Sequence, residues 1–379
     1  MKKKVLRIAT VPISLNLLLQ GQLRMLNEDY EMVAVSSPGK DLEEVGAREG
    51  VRTVGIRMER RISPIQDLKS LFALIKLIRK EKPWMVHTMT PKAGLLGMLA
   101  ARICGVPVRL HLFTGLVFPT STGLKRRLLM ATDKLTCACA TFINPEGEGV
   151  KRDLERFGIT HKELHIVGNG NINGIDMAYF DRTEEVMKKA ESIREKDCIT
   201  FCFVGRIVGD KGMNELAEAF ARLEKEFPSC RLLLVGDFEE KLDPVLPETK
   251  RMFLENSRVT FAGWQQDIRP YLAASDIFVF PSYREGFPNV VLQAGAMGLP
   301  SIVTDINGSS EIIRDGVNGV IIPPRDTEAL WKAMRDMLTD EAARRKMAAN
   351  ARNLIGSRYD RTFLWQELKK HIKVWNDAC

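Results

Sequence analysis

The sequence is short of most features that would mark a specialised class. No stretch reaches the ~18 uninterrupted apolar residues of a membrane-spanning helix. Lys2-Lys3-Lys4 followed by an apolar run imitates a signal peptide, but Arg7 interrupts the run, Pro12, Ser14 and Asn16 break the next, and no small-residue cleavage site follows. Val5–Thr10 therefore reads as a buried strand. Seven cysteines are scattered with no CxxC pair, and five histidines show no metal-ligand spacing, so a disulfide scaffold or zinc site is not expected. Reduced, mostly buried thiols are expected instead. Aromatic residues are 7% of the chain with no stacking motif, which argues against a nucleic-acid binder. Neither a Walker loop nor GxGxxG occurs, which disfavours nucleotide hydrolysis and dinucleotide redox chemistry. There is no fixed-period repeat and no low-complexity tract.

What is present suits a soluble two-domain protein. The 379 residues exceed one ordinary core, with 45% hydrophobic and 27% charged residues. The net charge of +8 lies wholly in the first half: residues 1–185 carry 28 Lys+Arg against 20 Asp+Glu, and the remainder 28 against 28. That half is expected to meet something anionic, such as a membrane surface, nucleic acid or a phosphorylated substrate.

Short β-branched runs alternate with helical patterns, the signature of α/β architecture with doubly wound parallel sheets. Strands are expected at Val5–Thr10, Glu31–Ser37, Met85–Met89, Val108–Phe113, Thr141–Asn144 and Leu164–Val167. Helices are expected at Asp67–Lys82, Ala93–Cys104 and Leu124–Ala138. Leu68, Leu71, Phe72, Ile75 and Ile78 have the spacing of one buried face. A second set of strands follows at Ile199–Val204, Arg231–Val235, Arg258–Ala262, Ile277–Phe280, Ser301–Thr304 and Gly319–Ile322. Polar Arg182–Asp197, rich in charge and helix-prone, reads as the linker, and three helical patterns close the chain. The expected domains are 1–183 and 184–355, with a helix over 356–379 returning to the first. Ligand crevices in such sheets lie at the carboxyl ends of the strands, so a cleft between the domains is the expected site.

Two segments carry chemistry. In Phe203–Met213, FVGRIVGDKGM, a strand runs into a glycine loop before a helix. Gly205, Gly209 and Gly212 permit close backbone approach, and Arg206 and Lys211 aim two fixed charges at one place. That suits a departing diphosphate. In Ile277–Leu299, IFVFPSYREGFPNVVLQAGAMGL, Glu285 and Gly286 sit between a strand end and a helix start near Asn289.

Together these segments resemble the retaining glycosyltransferases of family 4, which have the GT-B fold of two Rossmann-like domains. Further signs are Leu234-Val-Gly-Asp237, Phe261-Ala-Gly263, Gly316-Val-Asn-Gly319 and Asn173-Gly-Ile-Asp176 followed by Phe180. The resemblance implies that Arg206 and Lys211 hold the donor diphosphate and Glu285 lies beneath the donor sugar. It also implies that Gly205 and the backbone of Gly286, Phe287, Pro288, Asn289 and Val290 meet the donor. A second glutamate, eight residues after the first, usually binds the ribose; here Gln293 stands there, and weaker nucleotide binding is expected. The histidine or arginine that the family often places at a first-domain strand end is replaced by Phe113. His87, Thr90, Lys92 and His111 are the candidates for lining the acceptor side.

The first half also resembles transferases of capsule, O-antigen and related surface polysaccharides. The carriers are Val11-Pro-Ile-Ser-Leu15 with Gly21-Gln22, Met58–Pro64, Thr90–Gly97 and Thr122–Arg127. That resemblance implies a polyprenyl-diphosphate-linked saccharide acceptor and peripheral, cytoplasmic association with the inner membrane face. The donor is expected to be a UDP-sugar, N-acetylhexosamine or hexose. No cofactor and no metal are expected, since no DxD-like pair stands where a metal would be needed. The rival readings are a sugar-nucleotide epimerase or hydrolase, which needs an acid and base that the first half does not display, and a non-catalytic nucleotide-sugar sensor.

Overall fold

A computed structural model describes residues 2–241 and 243–377. The chain divides into two compact units: Met1–Gly174 with Thr362–Cys379, and Ile175–Arg361.

The first unit holds strands β1 (Lys4–Ile8), β2 (Glu31–Ser36), β3 (Arg52–Gly55), β4 (Met85–Met89), β5 (Val108–Phe113) and β6 (Phe142–Pro145). All are parallel, in the order β3-β2-β1-β4-β5-β6. β4 is buried along its whole length and β5 along most of it, as a sheet covered on both faces requires. On one face lie the helices Pro91–Ile103 and Gly123–Cys139 with Pro64–Glu81. A Cβ on Gly94 would fall 2.3 Å from His111 Cε1, and one on Gly97 2.5 Å from Thr88 Cγ2. Only glycine lets this helix sit so close to β4 and β5. On the other face, Leu364, Leu368, Ile372 and Trp375 of the closing helix Arg361–Asp377 join Val5, Leu110 and Val167.

The second unit repeats the plan. β7 (Ile199–Val204), β8 (Cys230–Val235), β9 (Val259–Phe261), β10 (Ile277–Phe280), β11 (Ser301–Thr304) and β12 (Gly319–Ile322) pair in the order β12-β11-β10-β7-β8-β9. Read in its own strand count, that is the order of the first sheet. Each sheet therefore reverses direction between its first and fourth strands, and a crevice opens there at the carboxyl ends.

Three expectations require correction. Leu164–Val167 is no strand; a single bridge joins Leu164 to Ile143. β3 was missed because RTVG at a sheet edge is half exposed and carries no apolar run. The helix Pro64–Glu81 buries Ser70, Leu74 and Ile78, with Leu71 and Ile75 partly covered, whereas Leu68 and Phe72 are exposed. The helix-prone linker contains the helix Glu184–Ile193, whose Val186 and Ala190 enter the second core.

Candidate functional site

In the second unit the crevice is built by glycines that bring loops together. A Cβ on Gly236 would lie 1.9 Å from the Gly205 carbonyl oxygen, closing the end of β8 against that of β7. After β7 comes a tight turn at Gly209–Lys211 and then Gly212, at φ +70°. Its Cβ would fall 2.1 Å from the Pro281 carbonyl oxygen, so a side chain there would push the turn away from the end of β10. This contact delivers Lys211 to the loop after β10. Its Nζ pairs with Glu285 Oε1, both side chains being about 15% exposed (15% and 16%). Ser282 Oγ donates to the same carboxylate oxygen at 2.8 Å. The Lys211 ammonium also lies 5.3 Å from the Phe280 ring centroid, an aromatic face that suits a cation.

Arg206 stands differently. It is exposed and has no carboxylate partner among the described residues. The loop Gly286–Pro288 is buried, and Gly308 packs so tightly on it that a Cβ would meet the Gly286 carbonyl oxygen at 2.4 Å. The helix Asn289–Ala296 then begins after Pro288, whose side chain offers its first turn no hydrogen bond. Asn289, Val290 and Gln293 are half-buried. Tyr283 donates to Glu215, and burial raises its phenol above the usual range. Arg284 pairs with Asp210 at 3.2 Å. The second unit thus gathers Gly205, Lys211, Glu285 and the loop Gly286–Val290 around one strand-end crevice. Chemically, this supplies a fixed cation, a carboxylate held in place by two partners, and a helix start whose dipole favours an anion.

The first-unit candidates divide between the two faces of the sheet. His87 points away from the helix Pro91–Ile103: it is buried against Arg7 Nη1, and burial together with that guanidinium holds its imidazole well below the usual range. Arg7 is itself lowered to about 9 by burial. Lys92 is tied to Asp67 at 2.6 Å and donates to the Arg61 carbonyl oxygen. Thr90 and His111, by contrast, share a small pocket at the ends of β4 and β5 with Phe113 and Asp133. Thr90 adopts φ +72°, ψ 145°, unusual for a non-glycine residue. Two hydrogen bonds hold it there: its hydroxyl lies 2.8 Å from Thr10 Oγ1 and accepts from the Thr10 N–H at 3.1 Å. His111 Nδ1 lies 2.8 Å from Thr88 Oγ1, and its ring meets Phe113 edge-on at 4.4 Å. Burial pushes His111 down to about 3.

Asp133 is not among the sequence candidates; it lies within the helix expected over Leu124–Ala138. The usable signal was a carboxylate on the same helical face as Thr136 and Cys137, the buried side of that helix.

Residues 19–170 match the family described as glycosyl transferase 4-like domain, and residues 198–340 that described as glycosyl transferases group 1. The capsular polysaccharide biosynthesis glycosyltransferase CapM of Staphylococcus aureus is 30% identical over 97% of this chain and 96% of its own. The chain belongs to the family 4 glycosyltransferases. This glycosyltransferase is also 32% identical, over 78% of its length and 76% of the relative's, to the Escherichia coli UDP-Gal:α-D-GlcNAc-diphosphoundecaprenol α-1,3-galactosyltransferase. Among solved structures, HepE of Anabaena in complex with UDP superposes with a TM-score of 0.81 at 18% identity, covering 99% of this chain and 100% of that one. That likeness shows the fold, GT-B. Among the described residues no helix of the glycosyltransferase is long and apolar enough to cross a membrane. No three His, Cys, Asp or Glu side chains among them are grouped to hold a metal ion.

Proposed function

We propose that this glycosyltransferase moves an N-acetylhexosamine or hexose from a UDP-sugar to a saccharide on polyprenyl diphosphate, with retention of configuration, during assembly of a surface polysaccharide. The observation that carries the reading is the Lys211–Glu285–Ser282 cluster beside the start of the helix Asn289–Ala296. Lys211 and Arg206 stabilise charge developing on the leaving diphosphate, and the helix-terminal N–H groups of the loop from Gly286 to Val290 add to them. Glu285, oriented by its two partners, lies beneath the donor sugar, and Gln293 accepts from the ribose. The cationic residues take the place of a metal clamp. The acceptor hydroxyl attacks from the face the diphosphate leaves, and its proton passes to the departing phosphate.

CapM supports the surface-polysaccharide role, the Escherichia coli galactosyltransferase supports the lipid-linked acceptor, and its UDP-Gal donor together with the UDP complex of HepE supports the donor nucleotide. Docking on an anionic membrane face is supported by the helix Gly123–Cys139, where Leu124 is 82% exposed beside exposed Lys125 and Arg127. Ile65, Leu68 and Phe72 form a second exposed apolar stripe on the helix Pro64–Glu81. Some of the basic surplus serves the fold instead: Lys4 is held between Glu31 and Glu81. Nuclear magnetic resonance of the product from an α-linked UDP-sugar tests the stereochemistry. An α-linkage supports the proposal; a β-linkage contradicts it.

A further inference from the structure

The pocket at the ends of β4 and β5 contains a group that folding alone does not explain. Asp133 projects from the helix Gly123–Cys139, is 9% exposed, and has no side-chain hydrogen bond or ion pair among the described residues, while its carboxylate oxygens still reach solvent. A carboxylate largely stripped of water with no protein partner is costly in its charged form, and burial accordingly raises Asp133 to about 7. Around it stand neutral His111, the strained Thr90 and the apolar side chains of Phe113 and Leu129. Two costs therefore converge on one small volume: an unpaired carboxyl group and a threonine in a backbone region that disfavours side chains. Such costs persist where a ligand recovers them.

The pocket's size and charge limit the ligand. It has room for about one water-sized group, ≈ 10 Å³. A carboxylate and an uncharged imidazole repel or ignore a phosphate, so the diphosphate of a lipid carrier is excluded. A single neutral hydroxyl fits, and it can donate to the carboxylate.

We infer that Asp133, with His111 and Thr90, forms a specificity site for one hydroxyl group of the acceptor's terminal sugar. This rests on the transferase reading above. Asp133 binds and orients; it takes no proton, because the attacking hydroxyl's proton leaves with the phosphate.

The test is steady-state transfer by the full chain with D133N and D133L, alongside thermal unfolding and UDP calorimetry. Loss of one hydrogen bond to a charged group raises the acceptor KM about tenfold in D133N and about a hundredfold in D133L. Donor KM and UDP affinity stay unchanged, and the D133N melting temperature is no lower than wild type. An acceptor lacking the recognised hydroxyl has the raised KM already and becomes insensitive to D133N, which a structural role would not produce. Transfer with unchanged acceptor KM in both variants overturns the assignment. So does a D133N protein that melts several degrees lower and loses donor and acceptor affinity together. A wild-type protein that transfers sugar to no lipid-linked saccharide overturns the functional reading itself.

Discussion

Removing one of the two donor-side cations separates their settings. Lys211→Met deletes an ammonium paired with Glu285 where both side chains are about 15% exposed (15% and 16%). Glu285 keeps its bond from Ser282 at 2.8 Å but loses its charged partner. A hydrogen bond to a charged group contributes about 2 kcal/mol, and in a unit of this size each kcal/mol shifts the melting temperature by roughly 2–4 °C. Lys211→Met should therefore melt about 4–8 °C lower. Arg206→Ala removes an exposed side chain with no carboxylate partner among the described residues, and surface changes of that kind stay within about 0.5 kcal/mol. Its melting temperature should hardly move. In catalysis the two should look alike. Each withdraws a charge that acts most strongly on the leaving diphosphate, which costs about 3–4 kcal/mol, or a loss of about 100- to 1,000-fold falling mainly on kcat. Steady-state kinetics beside differential scanning calorimetry reads both effects. Near wild-type rates in both variants refute the diphosphate assignment. An unchanged melting temperature in Lys211→Met shows that the ion pair contributes nothing to the fold.

Transfer should persist in excess EDTA; activity that is lost and returns with manganese or magnesium would reinstate a metal clamp. Gln293→Glu should tighten UDP binding by roughly 1 kcal/mol in calorimetry, because it supplies a charge-assisted bond; equal or weaker affinity would mean that Gln293 does not face the ribose. The protein should sediment with anionic liposomes at low salt and release as salt rises, and replacing Lys125, Arg126 and Arg127 with Gln should weaken this while sparing UDP affinity. Equal partitioning onto neutral liposomes would exclude charge as the cause. Finally, Asp133 titrates near 7 in the folded chain against about 3.9 unfolded, so the folded state holds its proton longer and stability falls as pH rises from about 4 through about 7, by up to about 4 kcal/mol. The groups nearby do not titrate in that window, His111 lying at about 3 and Cys137 at about 12. Denaturation of D133N across this range should lack that slope; an identical slope would show that Asp133 is not the group responsible.

The fold was legible where burial is two-sided. β10 is a continuous apolar run, and β4, β5, β7, β11 and β12, apolar runs broken or flanked by polar residues or glycine, likewise have the bounds expected from sequence alone. It was illegible at the edges: β3 has no run to detect, and Leu164–Val167 has the run but no strand beside it for more than one bridge. On the helix Pro64–Glu81 the apolar residues outnumber those the core can cover, so spacing alone could not say that Leu68 and Phe72 stay outside. The donor-side loops were legible because their glycines and charges are local in sequence. The grouping of Lys211 with Glu285 was not, since it depends on Gly212 pressing against Pro281 across the sheet. In the first unit, alternation along β4 decides which candidates meet: Thr88 faces His111, and His87 faces Arg7 on the opposite side.

The central claim is tested most directly by giving the purified protein a panel of radiolabelled UDP-sugars with a saccharide on polyprenyl diphosphate, then partitioning the products into organic solvent. The account predicts label in the lipid phase from one donor, dependent on Lys211 and Glu285. Label that remains in water as free sugar or as an isomerised nucleotide sugar, or bound donor with no turnover, would contradict it.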